Sequence, residues 1–99
     1  MAVKTKRWDI AEELDTPERI ALYLEAAFED GDPAVIGAAI GDAARAYGMT
    51  RLAKDTGLAR EALYRALSVD GNPEFATVLK VLKALGLKLA ALEDDDKAA

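Results

Sequence analysis

Residues 49–67 read MTRLAKDTGLAREALYRAL, and this stretch decides the fold because it predicts two short helices joined at Gly57. A helix commonly ends in a left-handed residue, and glycine adopts that conformation without strain from a Cβ atom. Apolar side chains lie one turn before the glycine, next to it, and one and two turns after it, at Leu52, Leu58, Leu63 and Leu67. The spacing therefore predicts a tight helix pair with a shared apolar contact.

The outward face of the second predicted helix carries two cations, one acid and one aromatic hydroxyl, at Arg60, Glu61, Tyr64 and Arg65. Arginine can pair with guanine through two hydrogen bonds, glutamate can accept one from cytosine, and a tyrosine hydroxyl can reach a phosphate. This pattern is typical of a helix-turn-helix, whose second helix reads base edges in the major groove of DNA. DNA binding is therefore the leading hypothesis. The alternative is a helical hairpin whose charges only solvate its surface.

Start and stop signals predict five helices in the chain. The pairs Thr16-Pro17 and Asp32-Pro33 each place a capping side chain before the residue best suited to the first helical position. Gly31, Gly48 and Gly86 then stand where the first, second and fifth helical patterns stop.

The third helix is predicted to be capped by Thr50 and the fourth to span 60–67. Ala59 offers the fourth helix no side-chain oxygen, a loss of about 1 kcal/mol relative to serine. A turn-forming segment at 68–74 separates the fourth helix from the fifth. The positions predicted to face the core are Ile20, Tyr23, Leu24, Ala27 and Phe28 in the first helix, Ile36, Ile40, Ala43, Ala44 and Tyr47 in the second, and Phe75, Val78, Leu79, Leu82 and Leu85 in the fifth.

The segment 87–92 is predicted to be a short β-strand, because Leu87, Lys88 and Leu89 alternate as a half-buried strand does. A lone strand needs a partner, which would be Trp8 to Ile10 or the same segment of a second copy. Trp8 is predicted to cover one end of the core, and the alternative is that it anchors a partner.

The chain is interpreted as a single helix-turn-helix domain over residues 1–99. It would comprise an N-terminal arm at 1–15, a helical core at 16–86 that contains the helix-turn-helix at 49–67, the strand at 87–92 and a disordered tail at 93–99. The predicted fold class is all-α with that one short strand.

The composition argues against an enzyme. The chain has no cysteine and no histidine, which removes thiol nucleophiles, thiolate metal sites and the commonest general base. The carboxylates at 12–13 and 94–96 lack the buried scaffold that acid–base work requires. Gly37 and Gly41 stand inside a predicted helix, where they indicate close helix packing rather than a phosphate loop. We therefore expect no cofactor and no metal.

No apolar run in the sequence approaches the roughly 20 residues that span a bilayer, and residues 1–7 lead into no hydrophobic signal core. We therefore expect a cytoplasmic protein with no membrane partner.

The net charge of −5 is distributed unevenly along the chain. Residues 44–88 hold eight cations and four acids, a net charge of +4, whereas residues 8–43 hold one cation and ten acids, a net charge of −9. The asymmetry indicates two surfaces with two kinds of partner, because the sign of a local field governs which polyions it attracts. For the acidic half, a merely solvated surface is the alternative.

With five helices in this order, the chain resembles the lambda-repressor-like helix-turn-helix domains. More closely, it resembles the probable addiction module antidote family, HigA-like antitoxins of bacterial type II toxin–antitoxin operons. The likeness is carried by Trp8-Asp9 before Thr16-Pro17-Glu18, by GMTRLAKDTGLAREALYRALS at 48–68 and by GNPEFATVLKVLKALGLKL at 71–89. The last block is the most specific, because a generic helix pair does not require a Gly-Asn-Pro loop before a lysine-studded leucine helix.

The resemblance implies an antitoxin that neutralises a small basic RelE/ParE-like toxin by direct binding. It also implies that the protein binds operator DNA as a homodimer and represses its own operon. The positions carried over as DNA-facing are Thr50, Arg51, Arg60, Glu61, Tyr64 and Arg65, with Asn72 reaching the backbone from its loop. Ala59 departs from the serine usual in the family, and Asn72 has the alternative role of a turn residue that bonds its own loop.

The acidic residues 8–43 suggest a complement to a basic toxin, although the resemblance does not say which segment touches it. The dimer surface is predicted at Leu87 to Leu92 with part of the fifth helix. Two other functions stay open, a stand-alone helix-turn-helix repressor and a protein-interaction module that has lost DNA binding. Burial of the Arg60–Arg65 face in a partner would favour the interaction module.

Overall fold

A computed structural model describes residue 10 and residues 12–95. Within this part of the chain the regular structure consists of helices without a strand, which confirms the all-α class. The helices are α1 (Pro17–Asp30), α2 (Pro33–Tyr47), α3 (Met49–Thr56), α4 (Arg60–Ala66) and α5 (Phe75–Ala84).

The first two helices begin as the cap signals predict. The Thr16 hydroxyl oxygen accepts a hydrogen bond from the Arg19 amide at 3.1 Å, and an Asp32 carboxylate oxygen accepts one from the Ala34 amide at 2.9 Å. Each bond satisfies an amide that the first helical turn leaves without a partner.

The prediction that Thr50 caps α3 is wrong, because α3 already begins at Met49. Gly48 precedes it with φ of 110°, a conformation that ends α2 and turns the chain directly into α3. Thr50 therefore lies within the first turn of α3, where its side chain is exposed.

The helices enclose a core in which, among the described residues, every buried side chain is apolar. α1 packs on α2, α2 on α3, and α3 on both α4 and α5, so that α3 lies at the centre and Leu52 is fully buried. The other buried hydrophobic residues are Leu14, Ile20, Leu24, Ala27, Ala39, Ile40, Ala43, Ala44, Met49, Leu63, Leu67, Val81, Leu82 and Leu85.

Three positions predicted to face the core are exposed instead. Phe28 near the end of α1 and Leu79 on α5 are each 41% exposed, and Phe75 at the start of α5 is 67% exposed. α5 is rotated so that Val81 is fully buried, and the sequence stripe did not include this residue. The prediction is therefore wrong at these positions, where apolar side chains lie exposed outside the core.

The prediction of a strand at 87–92 is also wrong, because this segment has no regular secondary structure. Gly86, with φ of 87°, ends α5, and the Leu87 amide donates a hydrogen bond to the Leu82 carbonyl at 2.9 Å. That bond ties the start of the segment to the helix, and no described strand lies beside it. The partner strand was predicted at Trp8 to Ile10. Ile10 is helical, and Trp8 lies outside the described residues.

A polar link joins α1 to α2 at the edge of the core. The Tyr23 hydroxyl donates a hydrogen bond to Asp42 at 2.6 Å, and Arg45 donates one to the other oxygen of the same carboxylate at 2.7 Å. Burial and the hydrogen bond to Asp42 raise the pKa of Tyr23 to about 12. The tyrosine therefore keeps its proton over the usual range of pH.

None of the described helices combines the length and the hydrophobicity that a bilayer crossing requires.

Candidate nucleic-acid interface

Hydrogen bonds of Gly57 and Thr56 stabilise the turn between α3 and α4. Gly57 has φ of 77° and ψ of 8°, and its amide donates to the Ala53 carbonyl at 2.9 Å, as a left-handed helix end requires. The Thr56 hydroxyl donates to the Leu52 carbonyl at 2.8 Å and accepts from the Leu58 amide at 3.2 Å. The predicted turn at Gly57 is confirmed, whereas the contribution of Thr56 was not anticipated from the sequence.

The contact between α3 and α4 is built from the leucines that the spacing indicated. Leu52, Leu63 and Leu67 are buried, and Leu58 packs against the same core from the turn. Burial of these residues fixes which side of α4 faces inward, since side chains three and four positions apart share one face of a helix. The polar side of α4 is consequently turned outward.

The four positions predicted on the outward face of α4 are all exposed: Arg60, Glu61, Tyr64 and Arg65. Arg60 and Tyr64 contact each other, because the Arg60 guanidinium carbon lies 5.3 Å from the centre of the tyrosine ring and a guanidinium nitrogen donates to the Tyr64 hydroxyl at 3.3 Å. This contact is of cation–π type and holds the arginine along the surface of the helix.

A second arginine lies on an aromatic ring at the start of α3. The Arg51 guanidinium carbon is 4.2 Å from the centre of the Tyr47 ring, and the Tyr47 hydroxyl donates a hydrogen bond to Asp55. The hydrogen bond to Asp55 raises the pKa of Tyr47. Tyr47 and Asp55 were not predicted as site residues, because the contacts of Tyr47 with Arg51 and Asp55 cross the break at Gly48, which helical spacing does not describe.

The loop 68–74 is pressed against the end of α4. A Cβ atom on Gly71 would lie 2.2 Å from the Ala66 carbonyl oxygen and 2.6 Å from the Arg65 carbonyl oxygen, so only glycine permits this approach. The approach brings Asn72 and Arg65 to the lining of one shallow depression of about 700 Å³. Asn72 is exposed, and within the described residues no hydrogen bond holds its side chain. The alternative in which Asn72 bonds its own loop therefore has no support in this geometry.

The site as a whole presents cationic, acidic and hydroxyl groups, and none of its described polar side chains is buried. The depression next to α4 is lined by Arg65 and Asn72 and also by two acids of the loop, Asp70 and Glu74. The two arginine–tyrosine contacts lie on α4 and at the start of α3. The described residues contain no group of histidine, cysteine or acidic side chains that could hold a metal ion. The exposed arginines of this surface are able to donate hydrogen bonds to an anionic group.

The fold and this surface define an all-α protein with an exposed cationic helix pair. The chain belongs to the family described as probable addiction module antidote protein, whose match covers residues 4–93. It is similar to an uncharacterized protein of Haemophilus influenzae, with 48% identity over 88 residues that make up 89% of this chain and 91% of that protein. No solved structure matches the chain.

Proposed function

We propose that this protein is the DNA-binding antitoxin of a type II toxin–antitoxin module. The family supports the antidote role, and the exposed polar face of α4 supports DNA binding. That face carries the proposal, because a helix that enters a major groove must present hydrogen-bonding side chains to base edges while its apolar side is packed elsewhere.

In this proposal α4 is the recognition helix. Arg60 and Arg65 pair with guanine, Glu61 accepts from cytosine, and the Tyr64 hydroxyl reaches a phosphate. Arg60 and Tyr64 lie next to each other on the exposed face, and the arginine exchanges its contact with the tyrosine for one with a base when DNA binds.

Contacts to the phosphate backbone come from both sides of α4. Thr50 and Arg51 lie exposed in the first turn of α3, and Asn72 lies next to Arg65 in the loop that follows α4. Contacts of this kind fix the register of a protein on the duplex and carry no sequence information themselves. They complete a set of seven DNA-facing residues with the four on α4.

The second partner in the proposal is a cognate RelE/ParE-like toxin, a small basic protein that the antitoxin neutralises by direct binding. The family name supports this role, since an antidote acts on the other component of an addiction module. The protein then acts in the cytoplasm, without catalysis of its own.

We also propose that the protein binds its operator as a homodimer and represses its operon. One recognition helix buries too little surface for a specific site, whereas two copies about 34 Å apart read successive major grooves of a palindrome. The strand that was expected to pair the copies does not exist. The exposed apolar residues Phe75 and Leu79 lie one turn apart on α5, and they support pairing through that helix.

The experiment that tests this function is a mobility shift of DNA from immediately upstream of the gene. It is run at two salt concentrations with excess unrelated competitor DNA. A specific shift that weakens with salt is expected, because phosphate contacts release counterions. No shift at low salt would refute operator binding by the isolated protein.

The same experiment separates the other functions. A specific shift from a gene that adjoins no reading frame for a small basic protein would indicate a stand-alone repressor. Absence of any shift, together with burial of the α4 face in a complex, would indicate an interaction module that has kept the fold and lost DNA binding.

A further inference from the structure

A groove of about 850 Å³ lies between α1 and the segment 87–95, away from the α3–α4 helix pair. α1, α5 and the segment after α5 supply its lining, and neither α3 nor α4 contributes to it. We call it the acid-rimmed groove. A ligand in this groove would leave the exposed face of α4 free.

The floor of the acid-rimmed groove is apolar and partly open to solvent. It includes Phe28 and Leu89, each 41% exposed, and Leu92, which is 88% exposed. Leu24 and Leu82, both part of the core, lie beneath them. An apolar patch bordered by polar residues is the usual sign of a protein-binding surface. The exposure of Phe28, which the helical pattern had assigned to the core, is explained if a partner covers it.

The rim of the groove is strongly acidic. Glu25 and Glu29 border it from α1, and Glu93 and Asp95 border it from the other wall. Lys88 is the one cation among the described residues of its lining. This charge repels nucleic acid and anionic lipid headgroups, and it attracts a polypeptide that carries lysine or arginine around apolar side chains.

We propose that the acid-rimmed groove binds an amphipathic basic segment of the toxin. Apolar side chains of that segment enter between Phe28 and Leu89, and its cations meet the carboxylates of the rim. The inference rests on the proposed antitoxin function and deepens it by assigning the surface that contacts the toxin. It joins the acidic first half of the chain to the acidic segment after α5, which lie far apart in sequence.

A second copy of this chain is a poorer occupant of the groove. In a two-fold dimer the same patch of each copy meets, so the acidic rim of one copy would face the acidic rim of the other. Like charges across an interface oppose association. The charge of the rim therefore favours a basic partner.

The test measures the affinity of the full chain for the purified product of the small basic reading frame that adjoins the gene, by isothermal calorimetry. Phe28→Asp and Leu89→Asp place a charge on the groove floor, and each is expected to weaken the Kd by about tenfold or more. Leu22→Asp is the matched control, because Leu22 is 66% exposed on the same helix and does not line the groove. Its Kd is expected to stay within about twofold of wild type.

A second pair of variants tests the rim. Glu25→Gln combined with Glu29→Gln is expected to weaken binding and to reduce its dependence on salt, because two attractive charges are lost. Glu12→Gln combined with Glu13→Gln makes the same change of net charge at exposed positions outside the groove. This control should leave the affinity for the toxin and its dependence on salt near the wild-type values. Circular dichroism of every variant verifies that the fold is retained.

The outcomes distinguish the inference from the function on which it rests. No binding by the wild-type chain would overturn the antitoxin function and the groove assignment together. Binding that the groove variants and their controls weaken equally would overturn the groove assignment alone. Conversion of a dimer to a monomer by Phe28→Asp with unchanged toxin affinity would assign the groove to a second copy and likewise overturn the inference.

Discussion

Two glycines in α2 have opposite roles although they are only four residues apart. A Cβ atom on Gly41 would lie 2.7 Å from the Leu67 carbonyl oxygen, so the end of α4 approaches α2 more closely than any other residue would allow. Gly37 has open space where its Cβ atom would be. The prediction of close packing is therefore confirmed at Gly41 and wrong at Gly37.

Replacement of these glycines by alanine should change stability in opposite directions. Gly37→Ala should raise the free energy of unfolding by about 0.5–1 kcal/mol, because alanine loses less backbone entropy in a helix. Gly41→Ala should lower it by about 1–3 kcal/mol, because the new methyl group must displace a backbone carbonyl. Urea denaturation of both variants measures the difference, and equal stabilisation by both would contradict the close approach at Gly41.

The Tyr23 hydroxyl makes stability sensitive to alkaline pH. Its pKa is raised from 10 to about 12 in the folded chain, so the folded state favours the protonated form. The stabilisation of the folded state by the protonated Tyr23 hydroxyl is fully present below pH 10, and it is lost as the pH rises through about 12. The wild type should therefore lose more stability than Tyr23→Phe between these values, as measured by urea denaturation at fixed pH. If wild type and Tyr23→Phe lost the same amount of stability, groups other than Tyr23 would determine the alkaline pH dependence.

At the scale of the element, the outward face of α4 should determine operator affinity. Arg60→Ala and Arg65→Ala should each cost about 1–3 kcal/mol of binding free energy if the side chains pair with guanine. Lys80→Ala, an exposed cation on α5, is the control and should leave the Kd within about twofold. Quantitative mobility shifts give the three values. Equal affinity of both arginine variants and wild type would show that another face contacts DNA.

The start of α4 offers a stabilising substitution. Ala59 precedes the helix with φ of −67° and ψ of 138°, and it makes no side-chain cap. Ala59→Ser supplies an acceptor for a free amide of the first turn and should raise stability by about 1 kcal/mol. Ala38→Ser, at an exposed position inside α2, is the control. It lowers helix propensity and should therefore not raise the stability of the protein. Thermal unfolding compares them, and an equal response of both would contradict the cap assignment.

At the scale of the whole molecule, the exposed residues of α5 should control association. Phe75→Asp and Leu79→Asp should convert a dimer to a monomer, because each places a charge in an apolar interface. Val35→Asp, on α2 and 41% exposed, is the control and should leave the mass unchanged. Light scattering at micromolar concentration reads the mass directly. A monomeric wild type would refute the proposed α5 dimer.

The helix pair was predictable from the sequence, whereas the orientation of α5 was not. Gly57 fixes the turn, and single leucines at helical spacing on either side leave only one way to pack α3 on α4. In α5, by contrast, apolar residues stand on adjacent positions at 78–79 and 81–82, so several stripes fit equally well. Tertiary contact with α3 selects the stripe that contains Val81.

In the candidate interface, the exposed face of α4 was predictable from the sequence, whereas the contact between α2 and α3 was not. The outward positions of α4 follow once Leu63 is placed inside, and their exposure agrees with that argument. The stacking of Arg51 on Tyr47 depends on the angle between α2 and α3, and spacing along the chain does not encode this angle. The strand expected at 87–92 rested on three alternating residues, too few to outweigh the absence of a described neighbouring strand.

Among the described residues, no aromatic side chain is fully buried in the core. Tyr23 and Tyr47 pack against the core, whereas Phe28, Tyr64 and Phe75 are exposed, so the ring proton signals of these three residues sense the surface of the molecule. Tyr64 lies on α4, Phe28 in the acid-rimmed groove and Phe75 on the exposed side of α5. Phe28 and Phe75 also line one shared depression, so ring proton signals should change at Tyr64 for DNA and at one or both phenylalanines for a protein partner. One titration of an unlabelled sample therefore distinguishes DNA binding from protein binding.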